Sequence, residues 1–400
     1  MAAAHDAGVR RCTAAPYVFV PVDKSSISVT DHTGKKSLGM VGTYSSLTRG
    51  LNVMSAIAVL PDGTPQGIVG QSYWTRPRQT KRGKKATRRL RVEDKETQQW
   101  LDVISSAAAR FAELAPSSRP WFQIDREGDA WAILQWAMQA GGCDMTVRAH
   151  YDRRLCVVEQ GVEERQYLWP TLAAMPALGT YQIVVPQRAK QTARLATMEV
   201  RSRQVTLDMK DERTKRRMPA QLWAVWAREI DAPSEDERLE WMLLTTRPAD
   251  SLEAACTVVA GYEQRWCIEE FHRVWKSGAC DIESSQLQEG DHLQRWAIVL
   301  ASVAMRILRM TYIARTKPAA PASDEFSAHE ITAVITLAEP KNVRKGTVPT
   351  MSNMMLWIAT LGGYVGRSSG GPPGATVLTR GFQFIRSAVA LLAARDEEKT

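Results

Sequence analysis

Residues 262–276 read YEQRWCIEEFHRVWK, and this stretch mixes aromatic, cationic and acidic side chains. At about 100° per residue, a helix through it would place Tyr262, Arg265, Glu269, Arg273 and Lys276 within one stripe roughly 80° wide. The apolar side chains gather on the opposite side. The segment therefore predicts an amphipathic helix with one buried face and one polar stripe.

The polar stripe has two interpretations. One is a solvated face on which Glu269 pairs with Arg265 or Arg273, each four residues away, as ion pairs do on ordinary helices. The other is a carboxylate that binds a metal ion, with the neighbouring cations directed at phosphates. Acids elsewhere in the chain bear on the choice.

Two acids follow predicted strands. Asp23 lies near the predicted end of the strand YVFVPVDKSSISV (17–29), and Asp125 follows the strand in WFQIDREGD (121–129). Acids at strand ends and an acid on a helix packed over the sheet can meet in space although they are distant in sequence. Three such carboxylates form the hard oxygen site that Mg²⁺ prefers. We therefore expect Asp23, Asp125 and Glu269 to share a metal site.

The composition indicates a globular protein with a polyanionic partner. The 400 residues carry a net charge of +9 and 44% hydrophobic residues, which favours nucleic acid over a membrane as the partner. The six cysteines have no CxxC spacing, so neither a zinc ribbon nor a disulfide framework is indicated. The apolar run WAIVLASVAM (296–305) is too short to span a bilayer. These features predict a cytoplasmic protein with no membrane segment.

Strands and helices alternate in the first part of the chain. Strands are predicted at 17–29, 51–74 (divided by a turn at 61–63) and 120–125. Helices are predicted at 93–114 and 130–140, with Asp129 as the N-cap of the second. Residues 76–91 carry nine Lys or Arg, which indicates either a solvated loop or a nucleic-acid contact.

The second part changes in character. Short strands fill residues 143–248, which predicts a β-rich insertion, and helices dominate afterwards. The whole order predicts an α/β fold in which a mixed sheet is flanked by helices and interrupted before its last helix.

Tyr262, Arg265, Glu269 and Lys276 are separated by two, three and six residues. This spacing resembles the Tyr-Arg-Glu-Lys signature of bacterial DDE transposases of the insertion-sequence-four group. The surrounding RW.IEEFH..WK.GA is most similar to the branch of that group found in the kanamycin composite transposon. Asp23 in VDKSSIS and Asp125 in DREGD resemble the family's first and second catalytic aspartates. The resemblance covers about residues 16–390.

The resemblance implies an RNase H-like fold and a division of the chain. The catalytic core would comprise residues 1–142 and 249–318, with the β-rich insertion at 143–248 between them. A C-terminal helical region, 319–400, would form a homodimer through LGGYVGRSS and RGFQFIRSAVALLAA.

The implied activity is cut-and-paste transposition at one catalytic site. Asp23, Asp125 and Glu269 would hold two Mg²⁺ ions, with Mn²⁺ as an alternative, and Asp23 would bridge both ions. Water nicks one strand, the new 3′-OH attacks the opposite strand to form a hairpin, water opens the hairpin, and the end joins target DNA. The partners are double-stranded transposon ends and target DNA, and the protein would associate with the nucleoid.

The resemblance also implies DNA contacts. Phosphates would be held beside the metals by Tyr262, Arg265, Arg273 and Lys276. Trp241 would stack on a base flipped out of the duplex, and Arg148 would lie near that base. Arg126 is a further candidate for a DNA contact because it lies next to Asp125. From the residues alone, Trp241 is a core residue, because the chain has 13 Trp, Arg148 is a surface residue of an edge strand, and Arg126 is a paired surface residue.

One departure from the family leaves the activity open. Family members carry a helical end-recognition domain before the first catalytic aspartate, whereas 22 residues precede Asp23 here. One alternative is an active transposase whose start codon has been placed too late, or for which recognition of the transposon ends is supplied elsewhere. Alternatively, the chain is a truncated member that acts as a DNA-binding or dimerising inhibitory subunit, or a structure-specific nuclease of the same fold.

Overall fold

Strands and helices alternate along the chain. The computed structural model describes residues 1–31, 38–42, 48–76, 90–159, 162–185, 193–211, 213–341, 348–366 and 372–398. Strands β1 to β12 span Tyr17–Val29, Gly39–Met40, Arg49–Val59, Pro65–Trp74, Arg119–Ile124, Asp144–Arg148, Val157–Glu159, Val162–Glu164, Gly179–Val185, Arg194–Leu207, Ala220–Glu229 and Glu240–Thr245. Helices α1 to α10 span Ala2–Arg10, Thr97–Leu114, Trp131–Gln139, Leu168–Ala173, Leu252–Glu263, Trp266–Lys276, Gly290–Thr316, Ala328–Ala338, Met351–Leu361 and Ala375–Glu397.

In the part of the chain that the structure describes, ten strands form one mixed sheet in the order β2-β3-β1-β5-β6-β12-β11-β10-β9, with β4 also paired to β3. Strands β1, β5 and β6 are parallel neighbours, and the pairs on either side of them are antiparallel. Helices cover both faces, as parallel strands require. The predicted mixed α/β fold is confirmed, and the strand order is consistent with an RNase H-like sheet.

Alternation along β1 assigns its side chains to two cores. Val18, Val20 and Val22 pack in the core shared with α2 and α3, whereas Phe19 and Ile27 pack in the core shared with α5, α6 and α7. Because successive side chains of a strand point to opposite faces, Asp23 lies on the same face as Phe19. That face is the one covered by α6.

Strand β1 spans the predicted range 17–29 but continues past Asp23. The prediction that it ends near Asp23 is wrong, because antiparallel pairing with β3 continues to Val29. What ends at this point is the parallel pairing with β5, whose last pair is Val22 with Ile124.

Asp129 does not cap α3 as predicted. Ala130 occupies the N-cap position of this helix and makes no side-chain cap. The buried carboxylate of Asp129 instead accepts a hydrogen bond from the His150 amide at 2.8 Å and pairs with Arg153 at 2.6 Å. Asp129 therefore ties the start of α3 to the loop after β6.

The sheet continues across residue 143, since β6 pairs with β5 on one side and with β12 on the other. The boundaries at 142 and 248 stay predictions. The C-terminal part of α7 and the helices after it form a separate helical core, in which Met310, Phe326, Met351 and Ile385 are buried together. Most of the basic segment 76–91 lies outside the described residues.

Within the described ranges, two helices are long and apolar enough to cross a membrane by length and composition alone. They are α7, with 27 residues, and α10, with 23. The apolar run predicted to be too short lies inside α7, so that argument from length was wrong. Core helices of soluble proteins pass the same test, and α7 packs Ala297, Ala301 and Ala304 into the core beneath the sheet. The two helices are weak membrane candidates.

Arg309 connects the helical region to the sheet. From α7, its guanidinium donates hydrogen bonds to the Pro65 carbonyl at 2.7 Å, to Gln66 Oε1 at 2.8 Å and to Glu325 at 2.6 Å. Arg309 and Glu325 are mostly buried, with 16% and 14% of their side chains exposed. Removing the arginine would leave a buried carboxylate without its partner.

We therefore expect Arg309→Met to lower the free energy of unfolding by about 3 kcal/mol, measured by urea denaturation. Arg315→Met is the matched control, because Arg315 lies on the same helix and is exposed. Its effect should stay within about 0.5 kcal/mol. Equal effects of the two substitutions would contradict the anchoring role of Arg309.

Candidate active site

The two predicted aspartates lie side by side at the end of the β1–β5 parallel pairing. Val22 and Ile124 form the last parallel pair, so Asp23 and Asp125 are the next residues on neighbouring strands. Neighbouring strands are about 4.8 Å apart. Alternation puts both residues on the face that carries Phe19 and Trp121. The carboxyl groups therefore meet beneath α6.

Asp23 is largely buried and lies close to other charged side chains. Its Oδ1 accepts a hydrogen bond from the Lys24 amide at 2.8 Å, and its Oδ2 lies 3.9 Å from Arg265 Nη1. Burial raises the pKa of Asp23 to about 7, the charges of Asp125 and Glu269 add to the rise, and Arg265 opposes it. The three acids are thus close enough to influence one another.

Glu269 reaches this cluster from α6. The helix buries Ile268, Phe271 and Trp275 against the sheet, which fixes the opposite side of the helix above the strand ends. Glu269 Oε1 accepts a hydrogen bond from Arg265 Nη2 at 2.6 Å. The predicted ion pair of Arg265 with Glu269 forms. Because the Arg265 guanidinium also lies near Asp23, it is placed between the two acids.

The sequence predicted that the polar stripe lies on one helix, but the structure divides it between two helices. Helix α5 ends at Glu263 and α6 begins at Trp266. In the turn between them, the amides of Cys267 and Ile268 donate to carbonyls three residues back, which tightens the helix locally. Tyr262 consequently falls on α5, on the other side of the tightened turn from Glu269.

Tyr262 is buried, with 4% of its surface exposed, rather than exposed on the stripe. Its ring meets Trp241 edge to face at 6.2 Å, and the Arg265 guanidinium lies 5.8 Å from its centre. Burial lowers the pKa of Arg148, and its contacts with the Tyr262 hydroxyl oppose that shift. Tyr262 therefore joins Trp241, Arg148 and Arg265 into one wall.

Arg273 and Lys276 lie apart from the acids. Arg273 is exposed and pairs with Glu270 at 3.0 Å. Lys276 lies 3.6 Å from Glu283, which also accepts a hydrogen bond from the Ser28 amide. Neither cation forms an ion pair with Asp23, Asp125 or Glu269.

A cleft of about 1010 Å³ opens beside the acids. Its lining brings together Arg126, Arg148, Trp241, Tyr262 and Arg265, all predicted from the sequence as site residues. Arg148 is held in place by a hydrogen bond to the Glu240 carbonyl at 2.8 Å.

The other lining residues, which include Trp169, Glu263 and Trp266, were not predicted as site residues from the sequence. Trp266 could have been found, because it lies next to Arg265 and is off the buried face of α6. Trp169 and Glu263 carry no such signal, because packing between distant elements brings them to the cleft.

The donor set suits a divalent metal ion, although the side chains are not arranged around one. Among the residues that the structure describes, no three His, Cys, Asp or Glu side chains are grouped closely enough to hold a metal ion. The Arg265 guanidinium supplies the positive charge in this arrangement. Asp125 and Glu269 both oppose ionisation of Asp23, and a cation among these oxygen donors would remove that repulsion.

A large mixed sheet with two aspartates on parallel neighbours and a glutamate on the covering helix is consistent with an RNase H-like DDE domain. Residues 167–306 match the family model of the transposase DDE domain. This span includes Glu269 and strands β9 to β12, whereas Asp23 and Asp125 precede it. The match supports a DDE transposase, from a family of polynucleotidyl transferases and nucleases that act on DNA and generally depend on divalent metals.

Proposed function

We propose that this protein is a cut-and-paste DNA transposase of the insertion-sequence-four group, related to the branch found in the kanamycin composite transposon. It cleaves DNA at transposon ends, forms a hairpin there and joins the ends to target DNA. The observation that carries the proposal is the position of Asp23 and Asp125 directly after the last parallel pair of β1 and β5, with Arg265 between Asp23 and Glu269.

The three acids would hold two divalent ions, Mg²⁺ or Mn²⁺, which activate the attacking oxygen and stabilise the leaving one. Asp23 would be the central ligand, because the charges of both Asp125 and Glu269 act on it. Arg265 would leave its carboxylate partners for the DNA backbone once the acids have bound metal. In the bound state it would neutralise a phosphate.

The cleft beside the acids would take the DNA. Tyr262 and Arg265 would contact the backbone closest to the acids, with Arg273 and Lys276 further along α6. Arg126 and Arg148 would extend the cationic lining of the cleft. Such phosphate contacts position DNA without reading its sequence.

Trp241 would hold an unstacked base. It is only half buried, its ring lies against Tyr262, and Arg148 lies on the same wall of the cleft. An aromatic face inside a cationic cleft is the surface that extrahelical bases use.

A homodimer would form through residues 319–400. Helix α10 buries only Leu378, Gly381 and Ile385 in the described part of the chain, and it leaves Phe384 and Leu391 exposed. A transposase of this kind works in the cytoplasm, in association with the nucleoid.

Strand transfer tests the proposed function. The protein is incubated with pre-cut duplex that carries the transposon end, a supercoiled plasmid and Mg²⁺, and the products are resolved on a gel. We expect the duplex to become covalently joined to the plasmid. Cleavage without joining would indicate a nuclease, and DNA binding without either reaction would indicate an inhibitory subunit.

We expect Lys276→Ala to weaken DNA binding uniformly across sequences and to reduce the slope of log K against log salt by about 1. The reason is the loss of one phosphate contact. Fluorescence anisotropy between about 50 and 200 mM salt measures both quantities. Arg315→Ala is the control, because Arg315 lies outside the cleft, and an equal change in that variant would contradict the contact.

A further inference from the structure

Lys24 follows Asp23 on β1 and contacts it through the main chain. The Lys24 amide donates a hydrogen bond to Asp23 Oδ1 at 2.8 Å. Because successive side chains of a strand point to opposite faces, the Lys24 side chain lies on the face of the sheet that α2 covers, opposite the Asp23 carboxylate. The position of that carboxylate therefore depends on how the peptide unit between the two residues is held.

Strand pairing holds this peptide unit from one side. Beyond Val22, strand β1 keeps its antiparallel pairing with β3, in which Lys24 lies opposite Met54, whereas its parallel pairing with β5 has ended. A segment with fewer main-chain and packing contacts has more freedom to move than one inside the sheet. The contacts of the Lys24 side chain therefore contribute more to order at this point than they would between two paired neighbours.

Glu96, at the N-cap position of α2, binds the Lys24 ammonium. The Lys24 Nζ donates to Glu96 Oε2 at 2.8 Å, and 21% of the Lys24 side chain is exposed. Arg76, which follows β4, donates to both oxygens of the same carboxylate, with its Nη2 at 2.9 Å from Oε2. Arg76 also donates to the Gly42 carbonyl at 2.8 Å. A two-point contact of this kind fixes the orientation of the carboxylate that Lys24 meets.

The ion pair of Lys24 with Glu96 persists throughout the neutral pH range. Burial disfavours the charge of Glu96, but the hydrogen bonds from Arg76 and Lys24 outweigh this effect and lower the pKa of Glu96 to about 2. The contact therefore does not depend on the protonation of Glu96 under conditions in which the protein would bind metal. It joins the start of α2 to the residue whose amide holds Asp23.

On this basis, which rests on the proposed function, we propose that Glu96 is a positioning residue for metal binding by Asp23. It holds the Lys24 side chain on one face of the sheet, and the Lys24 amide then holds the Asp23 carboxylate on the other face. Glu96 itself touches neither the metal nor the DNA. Groups that orient a metal ligand in this way change metal affinity by about 10-fold to 100-fold when they are removed.

The test compares Glu96→Gln with the wild-type protein in two Mg²⁺ titrations at pH 8. One follows the melting temperature, which rises as the folded protein binds the ion, and the other follows cleavage of an end-labelled duplex. We expect the Mg²⁺ concentration at the midpoint to rise about 10-fold in both titrations, whereas the cleavage rate at saturating Mg²⁺ stays within about threefold of the wild type. The rate is retained because the substitution removes none of the three proposed metal ligands.

Three further variants complete the test. Lys24→Met breaks the same ion pair from the β1 side, so it should raise the Mg²⁺ midpoint by a similar factor, and it keeps the test decisive should Glu96→Gln fail to fold. The double variant should bind Mg²⁺ no more weakly than the single variants, because both substitutions remove one contact. Glu93→Gln is the matched control: Glu93 is exposed, pairs with Arg91 at 3.0 Å and should keep the wild-type midpoint.

The outcomes separate the two proposals. Unchanged Mg²⁺ midpoints in the folded variants would make Glu96 a structural tie only and overturn its positioning role, while strand transfer still stands as the measure of the proposed function. Effects of Glu96→Gln and Lys24→Met that add in the double variant would overturn the route through Lys24. A wild-type protein that neither binds Mg²⁺ nor cleaves DNA would overturn the proposed function and the positioning role together.

Discussion

Glu269→Gln is expected to reduce metal-dependent DNA cleavage by at least about 10³-fold while the protein stays folded. The substitution removes a negative charge from the metal site, and the loss of one ligand costs several kcal/mol of transition-state stabilisation. The glutamine oxygen can still accept the hydrogen bond that Glu269 receives from Arg265. Because 37% of the Glu269 side chain is exposed, the change in stability should stay below about 1 kcal/mol.

The measurement is the rate of cleavage of an end-labelled duplex at saturating Mg²⁺, with thermal melting and DNA affinity recorded on the same samples. Glu270→Gln is the matched control, because it makes the same chemical change one residue away on α6, at a position paired with Arg273. The control should retain cleavage within about threefold. Cleavage by Glu269→Gln at a comparable rate would remove Glu269 from the proposed site.

The arrangement around Arg265 would allow the three proposed metal ligands to lie near one another before a metal ion binds. Three acids at one sheet edge would repel one another, and the guanidinium between Asp23 and Glu269 offsets part of that repulsion. A metal ion would replace it in this role. When a metal ion takes the place of the guanidinium among the acids, Arg265 would be released to bind a phosphate.

The main parts of this site were predictable from the sequence. Asp125 directly follows a strand, Asp23 lies within one, and alternation fixes the face of the sheet on which each points. The amphipathic pattern of residues 266–276 identified the buried side of α6 and hence the exposed position of Glu269. These features depend on local periodicity, which a sequence displays directly.

Other features depend on contacts that local periodicity does not encode. The break between α5 and α6 comes from hydrogen bonds to carbonyls three residues back, at Gln264 and Arg265. Both residues keep right-handed helical dihedrals, so no helix-breaking residue marks the position. Asp129 is of a residue type that favours N-cap positions, but its carboxylate instead accepts hydrogen bonds from a loop some 20 residues later, at His150 and Arg153. Long-range pairing overrides local propensity in each case.

Asp23→Asn is expected to make the metal-free protein more stable at alkaline pH while it abolishes cleavage. Burial, with the charges of Asp125 and Glu269, raises the pKa of Asp23 from 3.8 to about 7. The folded chain therefore binds this proton more tightly than the unfolded chain. As the pH rises from about 4 to about 7, the wild-type protein loses the corresponding stability, and the loss is complete above that range.

The variant has no charge to bury, so its stability should exceed that of the wild type by on the order of 4 kcal/mol at pH 8 and by less than about 1 kcal/mol at pH 4. Urea denaturation in EDTA at the two pH values measures the difference. Added Mg²⁺ should stabilise the wild type at pH 8 more than at pH 5, because Asp23 must lose its proton to bind a metal ion. Added Mg²⁺ should have little effect on the stability of the variant. A variant that is no more stable than the wild type at pH 8, or one that Mg²⁺ stabilises equally, would contradict the placement of Asp23 among acids whose charge Arg265 offsets only in part. In that case the charge of Asp23 would be solvated or fully compensated in the folded protein.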